Sequence, residues 1–334
     1  MAEDAKKPDS TILGTGHYLP SRVLSNADLE KMVDTSNEWI VERTGIRERR
    51  IAAADEAASD IASNAAIQAL NMAEIDAKQL DLIIVATISP DMPLPATAMY
   101  VQQKIGARSY CPGFDLAAAC AGFIYGLSVA DSLIQANQAK YILVIGVELL
   151  SRILNYEDRA TCVLFGDGGG AAVVGPSSGD GRGIISTHLY ADGSQAKSLY
   201  IPAGGSRTPA SEQTVRDKQH FVHMAGQDVF KFAVKSLSSA IQTAIRSSGL
   251  TPKDIDWVIP HQANIRIIDA VANRCNIPKE RFYINIERVG NTSSASIPIA
   301  LDEAVRNGLV RPGQNLLFCG LGAGITWGSA LVRW

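Results

Sequence analysis

Apolar positions recur along the chain in two rhythms. Phe123, Leu127, Ala130, Leu133 and Ile134 come round at helical spacing, predicting a largely buried helix from about Ala121 to Ile134. Further helices are expected from Asp55 to Ala73, Gln227 to Arg246, Asn264 to Asn273 and Ser293 to Val305. Shorter ones are expected from Ser25 or Asn26 to Val33, from Glu38 to Arg43 with a stop at Gly45, and from Pro95 to Ile105. Between them lie short runs that read as strands: 11–16, 82–86, 113–116, 141–147, 170–174, 184–189, 257–259, 283–286, 315–319 and 325–332. Leu82-Ile83-Ile84-Val85-Ala86 is apolar throughout, as for a strand covered on both faces. Residues 192–222 are polar, carry Gly and Pro and lack a clear period. They read as a long surface excursion, a kind of segment that is often functional.

The two halves of the chain repeat. Residues 75–84, IDAKQLDLII, match residues 250–259, LTPKDIDWVI, at an offset of 175, and each stretch follows a long helix. The order of elements after each also agrees, which predicts an internal duplication. Two βαβ-rich halves imply largely parallel sheets sandwiched by helices, with ligands at the carboxyl ends of the strands. The halves are placed at 11–180 and 181–334, after a polar stretch at 1–10 expected to be a disordered tail and not a signal peptide.

Composition narrows the class. The 334 residues are 46% hydrophobic and 19% charged, as in a well-packed soluble protein. A net charge of −3 argues against nucleic-acid binding, and no apolar run reaches membrane-spanning length. The five cysteines, 111, 120, 162, 275 and 319, are scattered without a C-x-x-C. Neither a zinc site nor a disulfide framework is indicated, which fits a reducing cytoplasm.

Three segments carry candidate chemistry. Cys120 falls where a short strand meets the mouth of the helix starting near Ala121. The positive end of the helix dipole is expected to favour its thiolate there, although a lone Cys also reads as a small buried hydrophobe. His261, in Pro260-His261-Gln262-Ala263-Asn264, follows the 257–259 strand, where α/β proteins keep reactive side chains. Asn291 opens the 293–305 helix and, alone, reads as its N-cap. Gly166-Asp167-Gly168-Gly169-Gly170-Ala171 satisfies G-x-G-x-x-A, but an apolar strand follows instead of a helix, which excludes a dinucleotide site. Gly320-Leu321-Gly322-Ala323-Gly324 lets backbone approach a ligand closely and supplies N–H groups to an oxyanion.

Together, Asp115–Gly122 with Cys120, Pro260–Asn264 with His261, Gly290–Ser293 with Asn291 and Gly322–Gly328 resemble the third class of β-ketoacyl-acyl-carrier-protein synthases. Trp39–Arg47 and Thr326–Arg333 extend the likeness over nearly the whole chain. The resemblance implies the thiolase fold: α/β, internally duplicated, a five-layered α-β-α-β-α sandwich of mixed sheets, found as a homodimer. It implies a condensing acyltransferase that moves an acyl group, typically acetyl, from acyl-CoA to Cys120. That group is then joined to malonyl-ACP with loss of carbon dioxide, starting fatty-acid synthesis with no metal or separate cofactor.

The resemblance further assigns Cys120, His261 and Asn291 to catalysis, and the backbone N–H groups of Cys120 and Ala323 to the oxyanion hole. CoA falls to Trp39, Arg43, Arg159 and Asn264, with the adenine between Trp39 and Arg159. Leu94 and Leu321 would shape the acyl pocket, and Lys231, Lys235 and Arg266 would dock the acidic carrier. Relatives with the same triad also start secondary-metabolite chains of quinolone or polyketide type. A non-catalytic carrier-binding subunit is the remaining alternative, and the intact triad speaks against it.

Overall fold

The computed structural model describes residues 9–334. The first half runs β1 (Ser10–Tyr18), β2 (Arg22–Ser25), α1 (Asn26–Leu29), α2 (Asn37–Thr44), β3 (Glu48–Ile51), α3 (Ala58–Ala73), β4 (Leu82–Ala86), α4 (Thr97–Lys104), β5 (Gly113–Leu116), α5 (Gly122–Gln135), β6 (Ile142–Glu148) and β7 (Gly168–Pro176). The second runs β8 (Gly183–Ala191), β9 (Leu199–Tyr200), α6 (Glu212–Arg216), β10 (His223–Met224), α7 (Gly226–Ser247), β11 (Trp257–Pro260), α8 (Ile265–Cys275), α9 (Ile286–Val289), α10 (Ser296–Arg306), β12 (Asn315–Gly322) and β13 (Thr326–Arg333).

The duplication is visible in the sheets. The first has the order β1-β7-β6-β4-β5, and the second has β8-β13-β12-β11. In the first, β4 pairs in parallel with both β5 and β6; in the second, β11 pairs in parallel with β12; the remaining pairings are antiparallel, so both sheets are mixed.

Alternation along the strands builds the layers, because successive side chains leave opposite faces. Ile83, Val85, Leu143, Ile145 and Val173 pack with α3 and α4. Their neighbours Leu82, Ile84, Ile142, Val144 and Val174 pack with α5 and α10, which also receive Ile259, Phe318, Ala330 and Val332 from the second sheet. The far face of that sheet, with Val258, Leu317, Cys319 and Leu331, packs with α7 and α8. The sequence of layers is therefore helix, sheet, helix, sheet, helix, as the thiolase fold requires.

Several expectations change. The run 283–286 is not a strand: Phe282 makes a single parallel bridge to Val258, and Ile286 already starts α9. The buried Gln262 side chain explains this. Its Nε2 donates to Tyr283 O (3.1 Å) and its Oε1 accepts from Asn285 N–H (3.3 Å), so it takes the backbone groups a neighbouring strand would use. The helix expected to reach Val33 stops at Leu29. The arginine-rich segment after α2 forms β3, which pairs with β2 in a hairpin absent from the sequence reading. Of the expected tail, residues 1–8 lie outside the described residues. Ser10 belongs to β1, where its buried hydroxyl donates to Asp131 Oδ1 (2.7 Å). The 180/181 division proposed from the sequence falls in the turn between β7 and β8. The excursion 192–222 carries β9 and α6, and β9 pairs with β10 just beyond it.

Candidate active site

Cys120 sits in a single 3₁₀ turn, Ala119–Ala121, that feeds α5. Ala119 holds φ at +45°, a left-handed conformation that costs an alanine energy and so signals a turn imposed from outside. The neighbour that imposes it is β12. A Cβ at Gly322 would lie 2.5 Å from Cys120 N, and one at Gly320 would lie 2.9 Å from Cys120 O. The Gly-x-Gly of β12 is therefore a steric requirement for the Cys120 backbone to fit. Gly322 has φ −134°, which alanine tolerates, so Gly322→Ala tests sterics alone. We expect it to lose about 1–3 kcal/mol in denaturant unfolding and to slow acylation of Cys120. Unchanged stability with unchanged acylation would remove this role.

The thiol is 6% exposed, and Sγ–H donates to Ser293 Oγ at 3.4 Å. Burial pushes its pKa up to about 12, against the lowering contact with Ser293 and with the nearby Glu148 charge adding to the rise. This corrects the expectation from the helix mouth. Desolvation disfavours the charged form at this buried position, so Cys120 rests as a thiol.

His261 continues the ladder beyond β11, its N–H donating to Cys319 O at 2.7 Å. The ring is 4% exposed and burial drops its pKa to about 3, so it is a neutral imidazole with one donor and one acceptor nitrogen. Its Nδ1 has no hydrogen-bond partner.

Asn291 is fixed by its backbone on both sides: its N–H donates to Leu164 O (2.9 Å) and its C=O accepts from Gly166 N–H (3.0 Å). Its Oδ1 accepts from Ser293 N–H (2.9 Å). That is the capping-like bond expected from the sequence, and it leaves the Nδ2 hydrogens as the donors available to a ligand.

Cys120, His261 and Asn291, contributed by the ends of β5, β11 and the segment after α9, line one cavity of about 110 Å³. Leu321 lines it as well, together with Phe165, Leu199, Met224 and Phe230. On the outside it continues into a groove of about 570 Å³ lined by Trp39, Arg43, Asn264, Lys231 and Arg266, sharing Leu164, Met224 and Phe230 with it. On the inside it continues past Cys120 into an apolar pouch of about 30 Å³ lined by Ala323, Ile88, Leu150 and Val222. A path thus leads from a cationic mouth, past three polar groups, to a small apolar end.

Not every expected residue is where the resemblance would put it. Arg159 stands 5.2 Å from the Trp39 ring centroid, with Arg43 at 4.8 Å, and donates to Asp34 O (3.0 Å). A flat base between Trp39 and Arg159 needs about 7 Å, two contact distances. Their gap is closed, because the guanidinium has taken the indole face itself. Asn264 caps α8 through Arg266 N–H (2.8 Å) and donates to Arg43 O (2.9 Å), tying α2 to the mouth. Lys235 lies one turn beyond Lys231 on α7, exposed and outside the groove. Leu94 is 84% exposed beside a cis peptide bond to Pro95 and lines none of these spaces.

Glu148 is a site residue that the sequence reading missed. It is fully buried, and it accepts from Ser293 Oγ at 3.1 Å. The available signal was a single acid closing the apolar run Ile142–Val147. Leu199, inside the excursion read as a functional loop, and Met224, just beyond it, were also missed.

The sequence profile described as 3-oxoacyl-[acyl-carrier-protein (ACP)] synthase III matches residues 114–193, and that of its C terminal matches 245–334. A beta-ketoacyl-[acyl-carrier-protein] synthase III of Caldanaerobacter subterraneus subsp. tengcongensis is 53% identical over 97% of both chains. The crystal structure of 3-oxoacyl-[acyl-carrier-protein] synthase III from Aquifex aeolicus VF5 superposes with a TM-score of 0.90. It is 46% identical and covers 97% of this chain and 100% of its own. The priming beta-ketosynthase of the R1128 polyketide biosynthetic pathway is 36% identical, with a TM-score of 0.89 over 99% of this chain and 98% of its own.

Proposed function

The chain belongs to the 3-oxoacyl-[acyl-carrier-protein] synthase III family, condensing acyltransferases of fatty-acid synthesis, and on that premise we propose how its residues carry the reaction. The observation that supports the assignment is the convergence of Cys120, His261 and Asn291 from three separate segments on one cavity. Cys120 Sγ attacks the acyl-CoA thioester, and CoA leaves with a proton as the acyl group stays on sulfur. The N–H groups of Cys120 and Ala323 stabilise the oxyanion. Malonyl-ACP then loses carbon dioxide, and the resulting enolate oxygen is held by donors from His261 and Asn291 Nδ2. The enolate carbon attacks the acyl-Cys carbonyl and the thiolate departs, giving 3-oxoacyl-ACP. Written this way, the reaction needs no metal or separate cofactor.

The acyl group enters the pouch beyond Cys120. Its volume is about 30 Å³, against about 110 Å³ for the cavity in front of Cys120, which favours acetyl and other short starters. Intact-mass measurement after incubation with acetyl-, isobutyryl- and octanoyl-CoA tests this. Acylation falling from acetyl to octanoyl, followed by product formation with malonyl-ACP, is expected, and an enzyme that takes up no acyl group would refute the function. The greater identity to the fatty-acid enzyme than to the polyketide priming enzyme favours a role in primary metabolism.

Trp39 and Arg43 are read as the CoA contact, with Arg159 swinging off the indole to admit the base. Because Trp39 is remote from the reacting atoms, Trp39→Ala should raise KM for acetyl-CoA about tenfold at nearly constant kcat. A fall in kcat without a rise in KM would move Trp39 out of the binding site. Lys231 and Arg266 at the mouth, with Lys235 one turn on, present positive charge to an acidic carrier. A homodimer is supported by β5, an edge strand with Phe114 exposed on it, and by Tyr110 and Leu94 at 75% and 84% exposure nearby. Five free, buried thiols support a reducing, cytoplasmic setting.

A further inference from the structure

We propose that Ser293 and Glu148 are positioning residues that relay the thiol proton of Cys120 away from sulfur when the enzyme is acylated. The proposal deepens the functional reading above and rests on it.

The hydrogen bond that Cys120 Sγ makes is to Ser293 Oγ, and Ser293 Oγ donates in turn to Glu148 Oε1 at 3.1 Å. The chain of donors runs in one direction, from sulfur to carboxylate. Ser293 is held for this task. Its φ is +47°, a left-handed conformation unusual for serine, and its N–H is anchored on Asn291 Oδ1. One residue therefore touches the nucleophile, the carboxylate and the enolate-binding amide.

Glu148 has the surroundings of an ionised acceptor. Its Oε2 accepts from Ser89 Oγ (2.6 Å), Ile88 N–H (3.1 Å) and Thr87 Oγ1 (3.3 Å). Ser294 Oγ also lies 3.1 Å from Oε1, but its single proton has a shorter acceptor in Ala86 O at 2.8 Å. The titratable group that faces this carboxylate is Cys120; the other groups on it are hydroxyls and one N–H. Burial raises its proton affinity above that of an ordinary carboxylate, which makes it a better receiver.

The step balances as follows. The S–H bond breaks and its electron pair stays on sulfur. The proton passes to Ser293 Oγ as the serine proton passes to Glu148 Oε1. Sulfur forms its bond to the thioester carbon, and the C–S bond to CoA breaks. The departing CoA thiolate takes up a proton from solvent, and Glu148 returns its own by the same path to the Cys120 thiolate when the 3-oxoacyl product leaves and the thiol reforms.

Single-turnover acetylation by acetyl-CoA, read by quenched intact mass across neutral and alkaline pH, tests the relay in Glu148→Gln, Ser293→Ala and the double variant. Glu148→Gln should acetylate about 10²-fold more slowly at neutral pH, with a rate that climbs about tenfold per pH unit as hydroxide replaces the lost acceptor. Ser293→Ala should behave alike, and the double variant should be no slower than either. Decarboxylation of malonyl-ACP by Glu148→Gln should fall much less than acetylation. If Glu148 acts only through its charge, removing it lowers the thiol pKa and acetylation speeds up, which overturns the relay. If it is only a structural tie, both half-reactions fall equally with an unchanged pH profile, which also overturns it. Should Glu148→Gln fail to fold, Ser293→Ala, which removes one oxygen, decides alone. Wild-type enzyme that takes up no acetyl group would refute the proposed function itself, whereas an acetylated wild type matched by both variants refutes only the relay.

Discussion

Cys120→Ala is expected to take up no acyl group from acetyl-CoA and to lose condensation by about 10⁴-fold or more. In the proposed reaction the acyl group waits on this sulfur, and no other nucleophile lines the pouch beyond it among the described residues: its lining is Ile88, Ala119, Leu150, Phe165, Leu199, Val222, Ser293 and Ala323, with Ser293 already bonded to Glu148. The variant should nonetheless keep decarboxylating malonyl-ACP, because His261 and Asn291 are held by contacts that do not involve Cys120. Carbon dioxide release without a 3-oxoacyl product would show this directly. An alanine variant that still acquires an acetyl group would place the nucleophile elsewhere.

Asn291→Ala should show the reverse. Removing one preorganised donor from a developing oxyanion costs about 3 kcal/mol, or 10²-fold and somewhat more in rate. Decarboxylation should therefore collapse while acetylation of Cys120 stays nearly intact. The alanine also strips Ser293 N–H of its acceptor. Asn291→Asp separates the two effects. It keeps the oxygen that Ser293 N–H needs, removes the donor and places negative charge where the enolate forms, so it should decarboxylate more slowly than the alanine variant. Equal losses in both half-reactions would mean that Asn291 organises the site without binding the enolate oxygen.

In the proposed reaction the two half-reactions divide between the two halves of the molecule. Cys120 follows β5, and His261 and Asn291 follow β11 and α9. They meet because α5 and α10 pack in one layer between the sheets, each entered through a 3₁₀ turn containing a left-handed residue, Ala119 in one and Ser293 in the other. The duplication thus puts the same local device at two places and lets each carry a different group.

Much of this was legible from local pattern. The apolar run at Leu82–Ala86, the helical spacing after Cys120 and the Gly-x-Gly of β12 each follow from the chemistry of neighbouring residues, and each element formed. The 283–286 run failed for a reason no local pattern holds, since the groups that satisfy its backbone belong to Gln262, twenty or so residues earlier. The pairing of β2 with β3 escaped the sequence reading for a similar reason: buried Arg49, donating to Leu24 O, Asn26 Oδ1 and Val163 O, looks like a surface cation in the sequence.

By itself, then, the amino-acid order determined most of the strands and helices, the repeat, the three reactive side-chain types and the family they belong to. Those depend on periodicity and on spacing within a few residues. Tertiary structure alone decided that Cys120 rests as a thiol, that its proton faces Ser293 and Glu148, that the space beyond it is small, and that Leu94 and Lys235 stand apart. Each of these depends on desolvation and on contacts between residues far apart in the chain, 145 positions for Glu148 and Ser293. The free energy of a buried charge is set by what surrounds it in space, and no stretch of sequence carries its own surroundings.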